Sequence, residues 1–258
     1  MRQLKAIVSR EVGDFFHSAM APAVLAGFLV AVGLFFTIYI LGYSEMSMSA
    51  LQSPRTGNYM NLAEGIFRPL VTNTAFFLLF LMPALAMRLF SPEYSSGRYD
   101  LLASWPVADH TWVLGKWLSA LFSAGVMLSC GAAYIGVVWI LGSPEPGPAF
   151  TALWGELLLA GMLLGWGLLA STLFNHQMVA YFMAFIGSMF LFLVGTLQRF
   201  LPDSIGWLAG EMSSLTHFER FSRGVIDSRD VLYFILMTAI PLAIATVVVG
   251  NRRLPVKR

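Results

Sequence analysis

Residue types that do chemistry are few in this chain, and their spacing does not suit catalysis. The histidines His17, His110, His176 and His217 lie far apart, and the one cysteine, Cys130, sits inside an apolar run. No HExxH or GxSxG pattern occurs, and no GxxxxGK[ST] loop is present to cradle a nucleotide phosphate. The chain is therefore expected to hold no catalytic residue, no metal and no cofactor of its own. A lone cysteine also forms no intrachain disulfide. The remaining polar chemistry gathers in two stretches. Met87–Trp117, MRLFSPEYSSGRYDLLASWPVADHTWVLGKW, places Arg88, Glu93, Arg98, Asp100, Asp109 and Lys116 between two apolar runs. Arg199–Asp230 carries His217, Arg223, Asp227 and Asp230. Such groups form ion pairs and hydrogen bonds with neighbours rather than make or break covalent bonds.

The elements that must position them are membrane helices. Of 258 residues, 57% are hydrophobic and 12% charged, against roughly 25% charged in soluble domains. Residues 15–44, 69–87, 117–144, 157–198 and 231–251 lack Asp, Glu, Lys and Arg altogether. One crossing takes about 20 residues. The 157–198 window is long enough for two, with a polar break at Phe174-Asn175-His176-Gln177. Six helical spans are expected, near 21–42, 69–87, 117–142, 152–173, 178–197 and 231–250. They form an all-α membrane protein of one domain covering residues 1–258. Barrel strands would instead alternate over about ten residues. The first uncharged window is longer than the roughly 7–15 residues of a signal peptide's apolar region, and no cleaved signal is expected. The net charge of +2 gives no reason to expect nucleic acid.

With six spans both termini share a side. That side would hold ten of the sixteen Lys and Arg residues, including Arg88, Arg98, Lys116 and the basic tail; the other holds six, with nine of the fourteen acidic residues. The bias places both termini and the 87–117 island in the cytoplasm.

Leu4, Ile7, Val8, Val12, Phe15 and Phe16 recur at helical spacing opposite Arg2, Lys5, Arg10 and Asp14. This predicts an amphipathic helix over 1–20 lying in the headgroup layer. Residues 43–68 read as a connection, and Pro83 as a possible kink in the second span. Ser-Pro-Glu-Pro-Gly-Pro at 143–148 reads as a tight turn, because three prolines in six residues do not continue a helix. Gly161-x-x-x-Gly165, with Gly155 and Gly167, allows close helix approach, within one bundle or against a second subunit. In the island, a helix is expected over Tyr94–Trp105. Within 199–230, Trp207, Leu208, Met212, Leu215, Phe218, Phe221, Val225 and Ile226 predict two short amphipathic helices, with Asp227 and Asp230 capping the last span. Every ionisable carboxylate and cation is expected at a span end or in a loop, so no residue offers itself for drawing energy from an ion gradient.

The island and its flanks resemble the ABC-2 type transporter permeases, in the branch related to gliding-motility and nitrous-oxide-reductase maturation permeases. The family pattern is roughly R-x-F-x-x-E-x-x-S-G-T-L-E-L-L-x-x-x-P-V, followed by G-K. In its places stand Arg88, Phe90, Glu93, Ser96, Gly97, Leu101, Leu102, Pro106, Val107, Gly115 and Lys116. A second match is His217-Phe218, then Arg223-Gly224-Val225-Ile226-Asp227 and Arg229-Asp230-Val231 leading into Tyr233. The resemblance covers nearly the whole chain. It departs at Arg98-Tyr99-Asp100, where the family has Thr-Leu-Glu.

The resemblance implies two permeases, identical or different, assembled with two separate subunits that bind ATP and Mg, in the bacterial cytoplasmic membrane. The island would be a coupling helix seated on the ATPase. Glu93 and Asp100 would offer carboxylates beside Arg98, Leu101 and Leu102 would fill an apolar notch, Gly97 would permit close approach, and Pro106 would end the helix. The 199–230 stretch would be a re-entrant pair closing the outer mouth, with His217, Phe218, Phe221, Arg223, Gly224 and Asp227 at the gate. Three functions follow: an ATP-driven exporter, a mechanotransmitter acting on a periplasmic partner, or an ion-coupled carrier or channel. The alternatives for the two stretches are a solvated loop and a membrane-skimming connector.

Overall fold

A computed structural model of the chain describes residues 2–52, 62–97, 99, 105, 107–142 and 146–253. Among them there is no strand. The helices are α1 (Arg2–Phe16), α2 (Met20–Gln52), α3 (Arg68–Ala86), α4 (Ser91–Ser95), α5 (Asp109–Gly142), α6 (Pro146–Leu173), α7 (Gln177–Leu193), α8 (Asp203–Met212), α9 (Ser214–Ser222) and α10 (Ser228–Arg253). A π-helical turn over Ala63–Phe67 precedes α3, and a 3-10 turn over Val194–Arg199 follows α7. Among the described residues, six helical stretches are long and apolar enough to cross a membrane.

Four of these helices, α2, α5, α6 and α10, overrun the uncharged windows that predict them. With 33 residues in α2 and 34 in α5, each is about 50 Å long at 1.5 Å per residue, against a hydrocarbon layer of about 30 Å. Hydropathy marks the part that suits lipid, whereas the hydrogen-bond ladder continues into polar sequence. Hence α2 runs to Gln52, through residues expected in a connection, and α5 starts at Asp109, shortening the island. Of the turn expected over 143–148, residues 143–145 lie outside the described residues, and 146–148 are already helical. Pro146 and Pro148 stand in the first turn of α6, where a missing N–H costs nothing because no carbonyl precedes it to be bonded. Pro83 lies inside α3, close to its end.

At the centre α6 packs against α3, α5, α7, α9 and α10, with Leu159, Met162, Leu163 and Leu168 fully buried. Its small residues each face a different neighbour within the chain. A Cβ built on Gly161 would lie 3.4 Å from Trp117 of α5, one on Gly165 3.4 Å from Pro241 of α10, and one on Gly155 2.7 Å from Phe221 of α9. Gly167 lies directly against Ala86 of α3. The glycine spacing serves the packing of one bundle.

Starting α6 at Pro146 also places Glu156 three turns into it, 3% exposed. The expectation that all ionisable groups lie at span ends or in loops is therefore overturned.

Candidate functional site

The island is a folded knob on one end of the bundle. Its helix α4 covers Ser91–Ser95, with Pro92 in the first turn. The expected helix over Tyr94–Trp105 does not run unbroken from Tyr94: Ser96 N–H closes onto the Pro92 carbonyl and Gly97 takes φ +69°, Tyr99 beyond it is helical again, and 98, 100 and 101–104 lie outside the described residues. A side chain is strained in that left-handed region, and glycine is not. No atom comes within 4 Å of a Cβ built on Gly97, so within this chain the glycine serves the turn. Arg98, Asp100, Leu101, Leu102 and Pro106 lie outside the described residues.

Lys116 of α5 anchors the knob. It is 1% exposed, and its ammonium donates to Glu93 Oε1 of α4 at 2.7 Å, to Glu11 Oε1 of α1 at 3.1 Å, and to the Leu89 carbonyl. Arg10 of α1 adds contacts to Glu11 at 2.8 Å and Glu93 at 3.9 Å. Two cations thus balance two carboxylates. Burial pulls the Glu11 carboxyl upward, but Lys116 and Arg10 outweigh it and hold it below the ordinary glutamate value. Glu93, expected to offer its carboxylate to an ATPase, points inward instead.

The wall behind the cluster is aromatic. Phe90 stacks on Tyr94 with centroids 6.0 Å apart, Tyr99 stacks on Trp112 at 6.0 Å, and Lys116 Nζ lies 5.0 Å from the Phe90 centroid. Bonds then reach the ends of two spans. Ser171 Oγ of α6 accepts from Phe90 N–H at 2.9 Å and Ser91 N–H at 3.0 Å, and Ser91 Oγ donates to the Phe174 carbonyl at 2.9 Å. Tyr99 donates to the Val249 carbonyl of α10 at 2.9 Å. Arg252 of α10 covers the Tyr94 ring at 4.1 Å and donates to Asn175 and the Leu173 carbonyl. Outward-facing positions are Ser95, Ser96 and Gly97, with Trp105 57% exposed.

No protein-family model matches the chain, and no curated protein matches it in sequence. Geometry and residue chemistry therefore carry the functional reading.

A second polar cluster closes the opposite end. Asp230 of α10 is fully buried, and its Oδ1 accepts from His217 Nδ1 at 2.6 Å and Arg220 at 3.0 Å. His217 Nε2 faces the Glu211 carbonyl at 3.0 Å. The Tyr233 ring stacks on it at 4.0 Å, and Tyr233 donates to the Met212 carbonyl at 2.7 Å. Arg229 pairs with Glu211 at 2.6 Å. Asp230 was expected to cap α10 and instead ties α9 to it; Asp227 does the capping, accepting from Arg229 N–H at 3.0 Å.

Of the other expected gate residues, Phe218 and Phe221 are fully buried. Arg223 ends α9 and reaches Glu219 at 3.6 Å, and Gly224 turns at φ +84° against Pro148. Thr151 Oγ1 of α6 donates to the Phe221 carbonyl at 2.9 Å.

Sequence reading missed Glu11, the inward use of Lys116 and Glu93, and Ser171. A signal existed for the first two. Glu11 falls on the stripe of Leu4, Ile7, Val8, Val12 and Phe15, and Lys116 on that of Trp112, Val113, Ala120 and Ala124. A charge on an apolar stripe faces a partner charge or a backbone acceptor.

Proposed function

We propose that this chain is the membrane-spanning subunit of an ATP-driven exporter of the ABC-2 type. It moves substrate across or out of the bacterial cytoplasmic membrane with both termini in the cytoplasm. A second permease copy and two separate ATPase subunits complete the assembly, and those subunits bind the ATP and Mg. The island serves as its coupling element.

The observation that supports this most directly is the linkage of the island to four elements at once. Glu93 pairs with Lys116 of α5 and, at 3.9 Å, with Arg10 of α1, while Phe90 and Ser91 bond Ser171 of α6 and Tyr99 bonds α10. A push on a knob held this way moves several spans together, which a solvated loop does not do. The contact surface for the ATPase is Ser95–Gly97 and Trp105, with the charges of Arg98 and Asp100 and the apolar Leu101 and Leu102 between them in sequence. Two short helices, α8 and α9, form the outer segment, and the His217–Asp230 contact joins that segment to α10. That contact also favours a second reading, in which the same assembly passes motion to a periplasmic partner without moving solute.

The test is purification of the tagged chain from its native membrane. An ATP-binding subunit is expected to co-purify. Gly97→Trp is expected to lose it, whereas Gly97→Asn, which tolerates the left-handed turn, retains it. Retention by Gly97→Trp with unchanged stimulated ATPase activity would overturn the assignment. Solute flux in reconstituted vesicles then separates export from mechanotransmission.

A further inference from the structure

We propose that Glu156 is a proton-binding site inside the bundle, occupied while α2, α3, α5 and α6 are packed together and vacated when they part. This goes beyond the coupling function and does not depend on it.

Glu156 is the eleventh residue of α6, about 15 Å along that helix from its start at 1.5 Å per residue. No hydrogen bond or ion pair engages its carboxyl among the described residues. It lines a cavity of about 10 Å³ together with Phe28 and Val32 of α2, Thr74 of α3, and Leu128 and Gly131 of α5. No other titratable or charged group from α2, α3, α5 or α6 lines that space. Its one hydroxyl, Thr74 Oγ1, already donates to the Leu70 carbonyl. An ionised carboxylate here would have neither countercharge nor donor, so the group takes a proton.

A metal cation fits poorly. Calcium and magnesium take about six or more oxygen ligands and zinc about four ligands drawn from Cys, His and carboxylates, whereas this cavity offers one carboxyl, one hydroxyl and space for about one water. A purely structural role fits poorly too, because an apolar side chain of similar volume packs as well or better than a buried ionisable one. Ionisable groups at membrane depth mark sites of function by default.

The position also has a mechanical connection. The preceding residue, Gly155, lies against Phe221 of α9, and Thr151 one turn earlier bonds the Phe221 carbonyl. Movement of the α8–α9 segment is thereby transmitted to the turn of α6 that carries the carboxyl. When water enters, the carboxyl O–H bond breaks, the proton passes to water and the carboxylate remains. Closure reverses the step.

The test uses the whole chain in phosphatidylcholine vesicles. In infrared spectra at neutral pH, the wild-type minus Glu156→Gln difference is expected to show the C=O stretch of a protonated acid, shifted in D2O. Carboxylate bands in its place would overturn the proposal. Glu156→Leu serves as the reference where glutamine does not fold. Cys130, half-buried beside Gly131 on α5, reports on opening. Its labelling rate in wild type, divided by that in Glu156→Gln, is expected to rise about threefold or more from about pH 6 to about pH 9. Thiol ionisation is common to both proteins and cancels. A pH-independent ratio would overturn the link between the proton and closure.

Discussion

Lys116→Met is expected to release α1 from the bundle and to destabilise the protein by about 3–5 kcal/mol, the usual consequence of removing one partner from a buried ionic cluster. The ammonium is the common partner of Glu11 and Glu93, and methionine fills its volume without its charge. Arg10 alone would then face two carboxylates, from a side chain that is 41% exposed. The measurement is the thermal midpoint in detergent, with limited proteolysis of α1. Adding Glu11→Gln and Glu93→Gln to Lys116→Met is expected to recover more than half the loss, because no uncompensated buried charge remains. A midpoint unchanged by Lys116→Met would show that the cluster does not hold α1 in place.

Asp230→Ala is expected to cost a similar amount, about 3–5 kcal/mol, and to free the α8–α9 segment. The carboxylate is 0% exposed and receives both His217 and Arg220. Its loss strands a buried imidazole against Tyr233 and leaves Arg220 with only Asp227, at 3.8 Å. Amide hydrogen exchange is expected to rise across 203–227 while α3 and α6 stay protected. Adding His217→Phe should restore part of the loss by removing the stranded donor. Exchange unchanged in the single variant would mean that Asp230 does not fasten the segment.

The energetics of the buried carboxyl separate a gate from a motor. One charge crossing the whole membrane gains about 2.3 kcal/mol per 100 mV, and a carboxyl within the bundle senses only part of that field. Moving a two-state equilibrium from 1:99 to 99:1 takes about 5.5 kcal/mol. A single proton at Glu156 thus biases closure without powering a cycle, and the ATPase reading keeps its need for an external motor.

Span number was readable from sequence because lipid demands long uncharged runs, and the break at 174–177 does separate α6 from α7. Helix ends were less readable. Hydropathy says nothing about α2 continuing past Gly42, and counting prolines says nothing about which of them occupy a first helical turn. That second omission concealed the depth of Glu156. At the island, the motif had Glu93 facing a partner subunit, whereas its carboxylate turns to Lys116 within the chain. Only a partner 23 residues away, Lys116, turns it inward, and such long-range pairing leaves no local signature. The same holds for Ser171, whose two backbone donors come from residues 80 and 81 positions earlier. His217 was singled out by motif, but its pairing with Asp230 follows from the fold that brings α9 onto α10.

The central claim is that a cytosolic motor grips the knob at α4. Its most direct test is the sidedness of Ser95, an exposed residue of that helix, replaced by cysteine in a Cys130→Ala background. A membrane-impermeant maleimide added to sealed cells should leave Ser95→Cys unlabelled, and should label it once the cells are broken. Full labelling in sealed cells would place the knob outside the cytoplasm and contradict the account.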